Sequence, residues 1–273
     1  MKRICIILLT FASALTLTNC RKEQTATDKI GEKVKITLNV YNHSKVAVNT
    51  STGAVTFENG DIIHVASNGV YVGSLTHNGA NFTGTITDPT EGQPLHFYFL
   101  GNQNPETLTV GSSTSCSVNI SDQTSKLPVI SYAPSNEDYS SETTTYTATL
   151  QNQCALVKFK VTTPSNTPIC MTGMNNRVTI DFSTNDFIYG KTNGGLIKLA
   201  CGSGENIEKW AILLPQDAMN EGALGSVYSQ GGGYNGIRPA IPAITKNGGI
   251  AFGINITVNK IEIGRAVQQE CRD

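Results

Sequence analysis

Apolar and polar residues alternate one by one along most of this chain, and the three-to-four spacing of an amphipathic helix is almost absent. Val34, Ile36, Leu38 and Val40 alternate with Lys35, Thr37 and Asn39, which predicts a strand with one face on a core. Residues 54–57 predict a short strand, Glu58-Asn59-Gly60-Asp61 turns the chain, and residues 62–66 run out again. Asn68-Gly69 predicts a tight hairpin between 62–66 and 70–75, because both residue types tolerate positive φ. His77-Asn78-Gly79 makes the next turn, and residues 81–87 and 95–100 follow as strands.

Residues 102–143 are rich in Ser, Thr, Asn and Pro and predict only short strands near 108–110, 116–120 and 129–132. Residues 144–150 lead into Ala155-Leu156-Val157-Lys158-Phe159-Lys160-Val161, a strong strand that opens a second domain. The pattern continues at 178–182, 186–189, 196–200 and 210–214, where Trp210 is expected in the core, and Pro215-Gln216-Asp217 breaks it. Residues 222–236 are Gly-rich and predict a long loop, 218–224 has room for a single helical turn, and 250–258 is the last natural strand. Short strands at this spacing, separated by Gly, Asn and Pro, indicate an all-β sandwich or barrel.

The two ends change the picture. Lys2 and Arg3 precede an apolar run over 4–17 that is short for a permanent membrane helix, so residues 1–20 read as a signal peptide. Leu17-Thr18-Asn19-Cys20 resembles a lipobox. That resemblance implies a diacylglyceryl anchor, palmitate included, on Cys20, and each buried methylene of such a chain contributes about 0.8 kcal/mol. Residues 21–33 are polar and read as a tether. Residues 262–273 read as a sequencing artefact, because Ile263-Gly264-Arg265-Ala266-Val267-Gln268-Gln269-Glu270-Cys271-Arg272-Asp273 matches the translation of a library adapter. Of the seven cysteines, Cys116, Cys154, Cys170 and Cys201 then remain for the folded body. Export permits disulfides among them, but sequence leaves three pairings and the free-thiol state open.

Candidate chemistry is sparse. The net charge of −1 gives no electrostatic case for nucleic acid. His43, His64, His77 and His96 fall on separate strands and turns, none at same-face ligand spacing, and His64 is expected to be a half-buried strand residue with its hydrogen bonds satisfied. No Cys-x-x-Cys pair, G-x-S-x-G elbow or phosphate-binding glycine loop is present, so no metal, cofactor or enzymatic role is expected. Asp88, Glu91, Glu137, Asp138 and Glu142 are expected to be solvated loop acids. Tyr228 and Tyr234 flank the glycine-rich loop and are the candidate loop contacts of a ligand-binding module.

Three phrases carry a family resemblance. Phe57-Glu58-Asn59-Gly60-Asp61-Ile62-Ile63-His64-Val65, the strand from Cys154 to Val161, and Trp210-Ala211-Ile212-Leu213-Leu214-Pro215-Gln216 resemble, in order and spacing, Bacteroidales fimbrillin-like lipoproteins. The resemblance implies two tandem transthyretin-like Greek-key β-sandwiches, over 34–150 and 151–261, and a fimbrial role in cell adhesion at the outer membrane. It also implies assembly by strand exchange with other fimbrial subunits after a protease removes an N-terminal strand. Here the candidate exchangeable strand carries Val34, Ile36, Leu38 and Val40, and the candidate processing site is Lys45, a lysine where the family implies arginine. The alternative is a monomeric surface lipoprotein that binds a glycan, or another host or bacterial surface ligand, through its loops.

Overall fold

Alternating apolar positions bury one face of each strand, and here the strands of the first half find one another in a closed ring. The structure is a computed structural model that describes residues 31–42, 47–48, 55–101, 103, 105–164, 166–222, 226–229, 234–246 and 253–260. In chain order the strands are β1 (Lys33–Asn42), β2 (Ala47–Val48), β3 (Val55–Thr56), β4 (Ile62–Ser67), β5 (Val70–His77), β6 (Phe82–Thr87) and β7 (Pro94–Leu100). Next come β8 (Ser115–Asn119), β9 (Asp122–Gln123), β10 (Ile130–Asp138), β11 (Thr145–Asn152), β12 (Ala155–Thr163), β13 (Ile169–Met171) and β14 (Arg177–Asp181). The last are β15 (Asp186–Gly190), β16 (Ile197–Leu199), β17 (Gly204–Leu213), β18 (Ser226–Ser229), β19 (Tyr234–Ile237), β20 (Gly253–Thr257) and β21 (Asn259–Lys260). No helix occurs among the described residues, so the described fold is all-β.

Seven strands close a barrel in the order β1-β11-β10-β7-β4-β5-β6. Ile63, Val65, Leu75, Phe82, Ile86, Phe97 and Phe99 are fully or almost fully buried. Asn68 and Gly69, at φ 48° and 80°, make the hairpin between β4 and β5 that the Asn-Gly pair predicts. Strand β7 is apolar on both faces. Tyr98, which alternates with Phe97 and Phe99, meets Tyr132, Phe182 and Phe187 at ring-centroid distances of 5.1, 5.1 and 6.3 Å. Phe187 belongs to the later sheet β15-β14-β8 and Phe182 directly follows β14, so a second layer covers that side of the barrel.

The other sheets are β17-β12-β20 and β21-β19-β18-β13-β16-β9, with the small ribbon β2-β3. Strands β8 and β9 lie before residue 150 in sequence, yet β8 pairs with β14 and β9 with β16. The buried Gln123 side chain ties the same halves together. Its amide donates to Ile212 O at 2.8 Å, and its carbonyl accepts from Ile212 N at 2.8 Å, so the side chain acts as a strand edge.

Several expectations need correction. Residues 108–110 form no strand, and Val110 is exposed. The expected loop over 222–236 instead contains the hairpin β18–β19, paired Ser226 to Ile237 and Tyr228 to Asn235. Cross-strand hydrogen bonding can override glycine content when a neighbouring edge, here β13, offers partners. The described part of 218–224 is not helical, and Met219 bridges to Ile241. Trp210 is half-buried rather than in the core, with Lys158 Nζ 5.6 Å from its ring centroid.

Candidate functional site

Strand β1 closes the barrel in an unusual way. Its first half, Lys33 to Leu38, pairs antiparallel with β6 from Thr87 to Phe82. Its second half, Thr37 to Asn42, pairs parallel with β11 from Thr145 to Leu150. The two ladders overlap only at Thr37 and Leu38. Each half of β1 is therefore laddered to one wall of the slot.

The side chains follow the pleat. Ile36 and Leu38 are fully buried, while Val34 and Val40 are half-buried and pack against the same core. Burial of an Ile or Leu side chain contributes roughly 1.5–3 kcal/mol, so Ile36 and Leu38 dominate the strand's hold on the slot. On the opposite face, Lys33 and Lys35 are exposed, and Thr37 and Asn39 are half-buried.

The entry to β1 is clamped by a residue expected to be merely solvated. The Asp88 carboxylate accepts the backbone N–H of Gly31 at 2.8 Å and of Glu32 at 2.7 Å, and Asp88 N–H donates to Glu32 O at 3.0 Å. Asp88 sits at φ 51°, a conformation that Asp tolerates better than most residues. The only sequence signal was Asp88-Pro89 directly after a predicted strand, which marks a turn but not its partner. Glu91 is engaged as well, through Ser141 N–H at 2.9 Å.

Other candidate residues do not converge on this slot. Cys20, His43 and Lys45 lie outside the described residues. Tyr228 and Tyr234 are on paired strands of one hairpin, not on a loop, and Tyr228 is half-buried beside Cys170. Cys116, Cys154, Cys170 and Cys201 are all buried thiols without disulfides. Burial pushes the thiols of Cys116 and Cys154 up to about 12 and that of Cys201 to about 11, which keeps them protonated and unreactive. His77 is buried, with Nδ1 3.1 Å from Glu58 O, and His96 Nδ1 lies 2.9 Å from the Tyr132 hydroxyl. His64 is half-buried as expected but not satisfied, since its buried Nδ1 has no hydrogen-bond partner, and desolvation lowers its pKa to about 4. Among the described residues, no three His, Cys, Asp or Glu side chains are grouped to hold a metal ion.

The first strand thus completes, through split pairing, a closed β-barrel covered on one side by a second sheet layer. The chain has the fold of Bacteroides proteins assigned to cell adhesion. One such protein, from Bacteroides uniformis ATCC 8492, superposes with TM-score 0.52 at 14% identity, over 86% of this chain and 97% of that one. Another, from Bacteroides ovatus ATCC 8483, gives TM-score 0.51 at 16% identity, over the same shares of the two chains. The fimbrial anchor protein Mfa2 from Porphyromonas gingivalis superposes more loosely, with TM-score 0.40 at 13% identity over 73% of this chain and 79% of that one, too loosely to bear on the reading. No protein-family model matches the chain, and no curated protein matches it. The adhesion-protein fold is thus shared at the level of architecture, with sequence identity far below what would carry residue roles across.

Proposed function

We propose that this chain is a non-enzymatic structural or accessory subunit of a fimbrium, of the fimbrillin type, held at the outer membrane by a lipid on Cys20. In this reading it has two tandem transthyretin-like sandwiches, over 34–150 and 151–261, and partners other fimbrial subunits by donor-strand exchange. Cleavage after Lys45 releases β1, and a strand from a neighbouring subunit takes its place. The observation that carries the reading is the split pairing of β1. Removing it bares the edge of β6 on one side and of β11 on the other, along with a pocket row vacated by Ile36 and Leu38. Such a slot offers both backbone ladders and side-chain pockets, the two requirements of strand addition. The fold shared with two Bacteroides adhesion proteins supports the same reading.

The test is N-terminal sequencing of detergent-resistant oligomers from cells that make the protein with its natural C-terminus in place of residues 262–273. The expected polymer begins after Lys45. Polymers that retain Lys33 to Asn42 would reject removal of β1, and a protein that stays monomeric after cleavage would reject strand exchange.

A further inference from the structure

A cavity of about 320 Å³ opens where the turn before β4 meets the end of β7 and the loop after β9. It is independent of the β1 slot. Its aliphatic lining residues are Ile62, Leu100 and Pro105. Ile62 stays 39% exposed at this rim although it belongs to a strand whose other apolar residues are buried. Asn59, Gln103 and Lys126 add amide and ammonium groups to the lining. His64 completes the lining, and its Nδ1 is shielded from solvent with no hydrogen-bond partner. A partnerless buried imidazole nitrogen is unfavourable, and a ligand hydroxyl is a group that relieves it.

Charge narrows the class of ligand. The Lys126 ammonium is 3.2 Å from Glu58, and the Asp61 carboxylate also lines the cavity, where it accepts Glu58 N–H at 2.8 Å. The positive charge is thereby balanced, and burial holds the His64 ring neutral near pH 7. An anion would find a neighbouring carboxylate and no surplus cation. The size lies at the small end of ligand pockets, about 300–1,000 Å³.

We propose that this cavity binds one unit of a neutral saccharide, its C–H face on Ile62, Leu100 and Pro105 and its hydroxyls toward His64, Asn59 and Gln103. A lining that mixes aliphatic side chains with amides and an imidazole suits such a ligand, because a sugar ring has an apolar face and a rim of hydroxyl groups.

The experiment is an NMR titration of the whole protein, monomeric and unprocessed, read at the histidine ring resonances. The probes are D-glucose, D-galactose, D-mannose and N-acetyl-D-glucosamine, with sialic acid and inorganic phosphate as anionic counterparts. At least one neutral sugar is expected to shift the His64 signals saturably. The Gln103→Leu variant, altered on a loop where folding is not at stake, is expected to bind that sugar about tenfold more weakly, and His64→Phe, followed by isothermal titration calorimetry because the reporter ring is gone, to bind it at least about tenfold more weakly. The proposal is overturned if no neutral sugar moves His64, if Gln103→Leu binds as the parent does, or if phosphate or sialic acid binds more tightly than every neutral sugar. None of these outcomes depends on polymerisation, so failure here leaves strand exchange standing, and the reverse also holds.

Discussion

Asp88 shows how one exposed carboxylate can set the fate of a strand. It fixes two backbone N–H groups at the very start of β1, and it holds a positive φ to do so. Bonds to a charged acceptor contribute about 1.5–3 kcal/mol when sheltered, and exposure lowers that figure. Asp88→Ala is therefore expected to cost about 1–2 kcal/mol in denaturant unfolding and to speed proteolysis within Lys33 to Asn42. Unchanged proteolysis would mean that the clamp does not govern fraying of β1. His64 supplies a different handle. Its unfolded pKa is near 6.5 and its folded pKa about 4, so the unfolded chain takes up a proton that the folded chain refuses. The stability contributed by the neutral ring is complete above pH 6.5 and is lost as pH falls toward 4, by about 1.4 kcal/mol per pH unit and on the order of 3 kcal/mol in all. Comparing His64→Gln with the parent across this window isolates the effect from carboxylate titration. Parallel curves for the two proteins would show that His64 does not carry it.

At the scale of elements, the slot around β1 makes a quantitative prediction. A chain that starts at Val46 should bind a synthetic peptide of residues 33–42 in trans, because β6 and β11 both lose a ladder when β1 leaves. Replacing Ile36 and Leu38 by Asp in that peptide removes two fully buried side chains, each contributing roughly 1.5–3 kcal/mol. The substituted peptide is expected to bind at least about 100-fold more weakly by fluorescence polarisation. Equal binding by the two peptides would mean that contact is not through the slot. Strand β1 was readable because one of its faces meets a core and the other meets water, which is what strict alternation encodes. The β4–β5 hairpin was readable for the same reason, with Asn68-Gly69 at its tip. Strand β13 was not, since all three of its residues are buried and leave no alternation to read. The β18–β19 hairpin was hidden by glycine, whose strand pairing depends on the waiting edge of β13 rather than on local preference. The cavity residues were individually visible, but nothing local brings Lys126 or Gln103 beside His64.

The molecule as a whole is held together by strands that cross the sequence midpoint. The described residues between 31 and 260 form a single compact unit. Strand β8 pairs with β14, Gln123 caps the edge of β17 at Ile212, and Phe182 and Phe187 cover Tyr98 and Tyr132 on the barrel. Taking the second half away would expose these rings and leave β8 without its ladder, so neither half keeps its native surroundings alone. The expected consequence is one cooperative thermal transition by calorimetry, with calorimetric and van't Hoff enthalpies equal. Phe182 is 1% exposed at the centre of this contact, and truncating a buried Phe to Ala costs about 3–5 kcal/mol. Phe182→Ala should therefore lower the single transition as a unit. Two separate transitions, only one of them shifted by Phe182→Ala, would mean instead that the barrel and the later sheets unfold independently. Cooperativity also bears on assembly. If the halves unfold together, strain from emptying the β1 slot spreads through the whole protein, and a strand that refills it should raise the one transition rather than the barrel's alone.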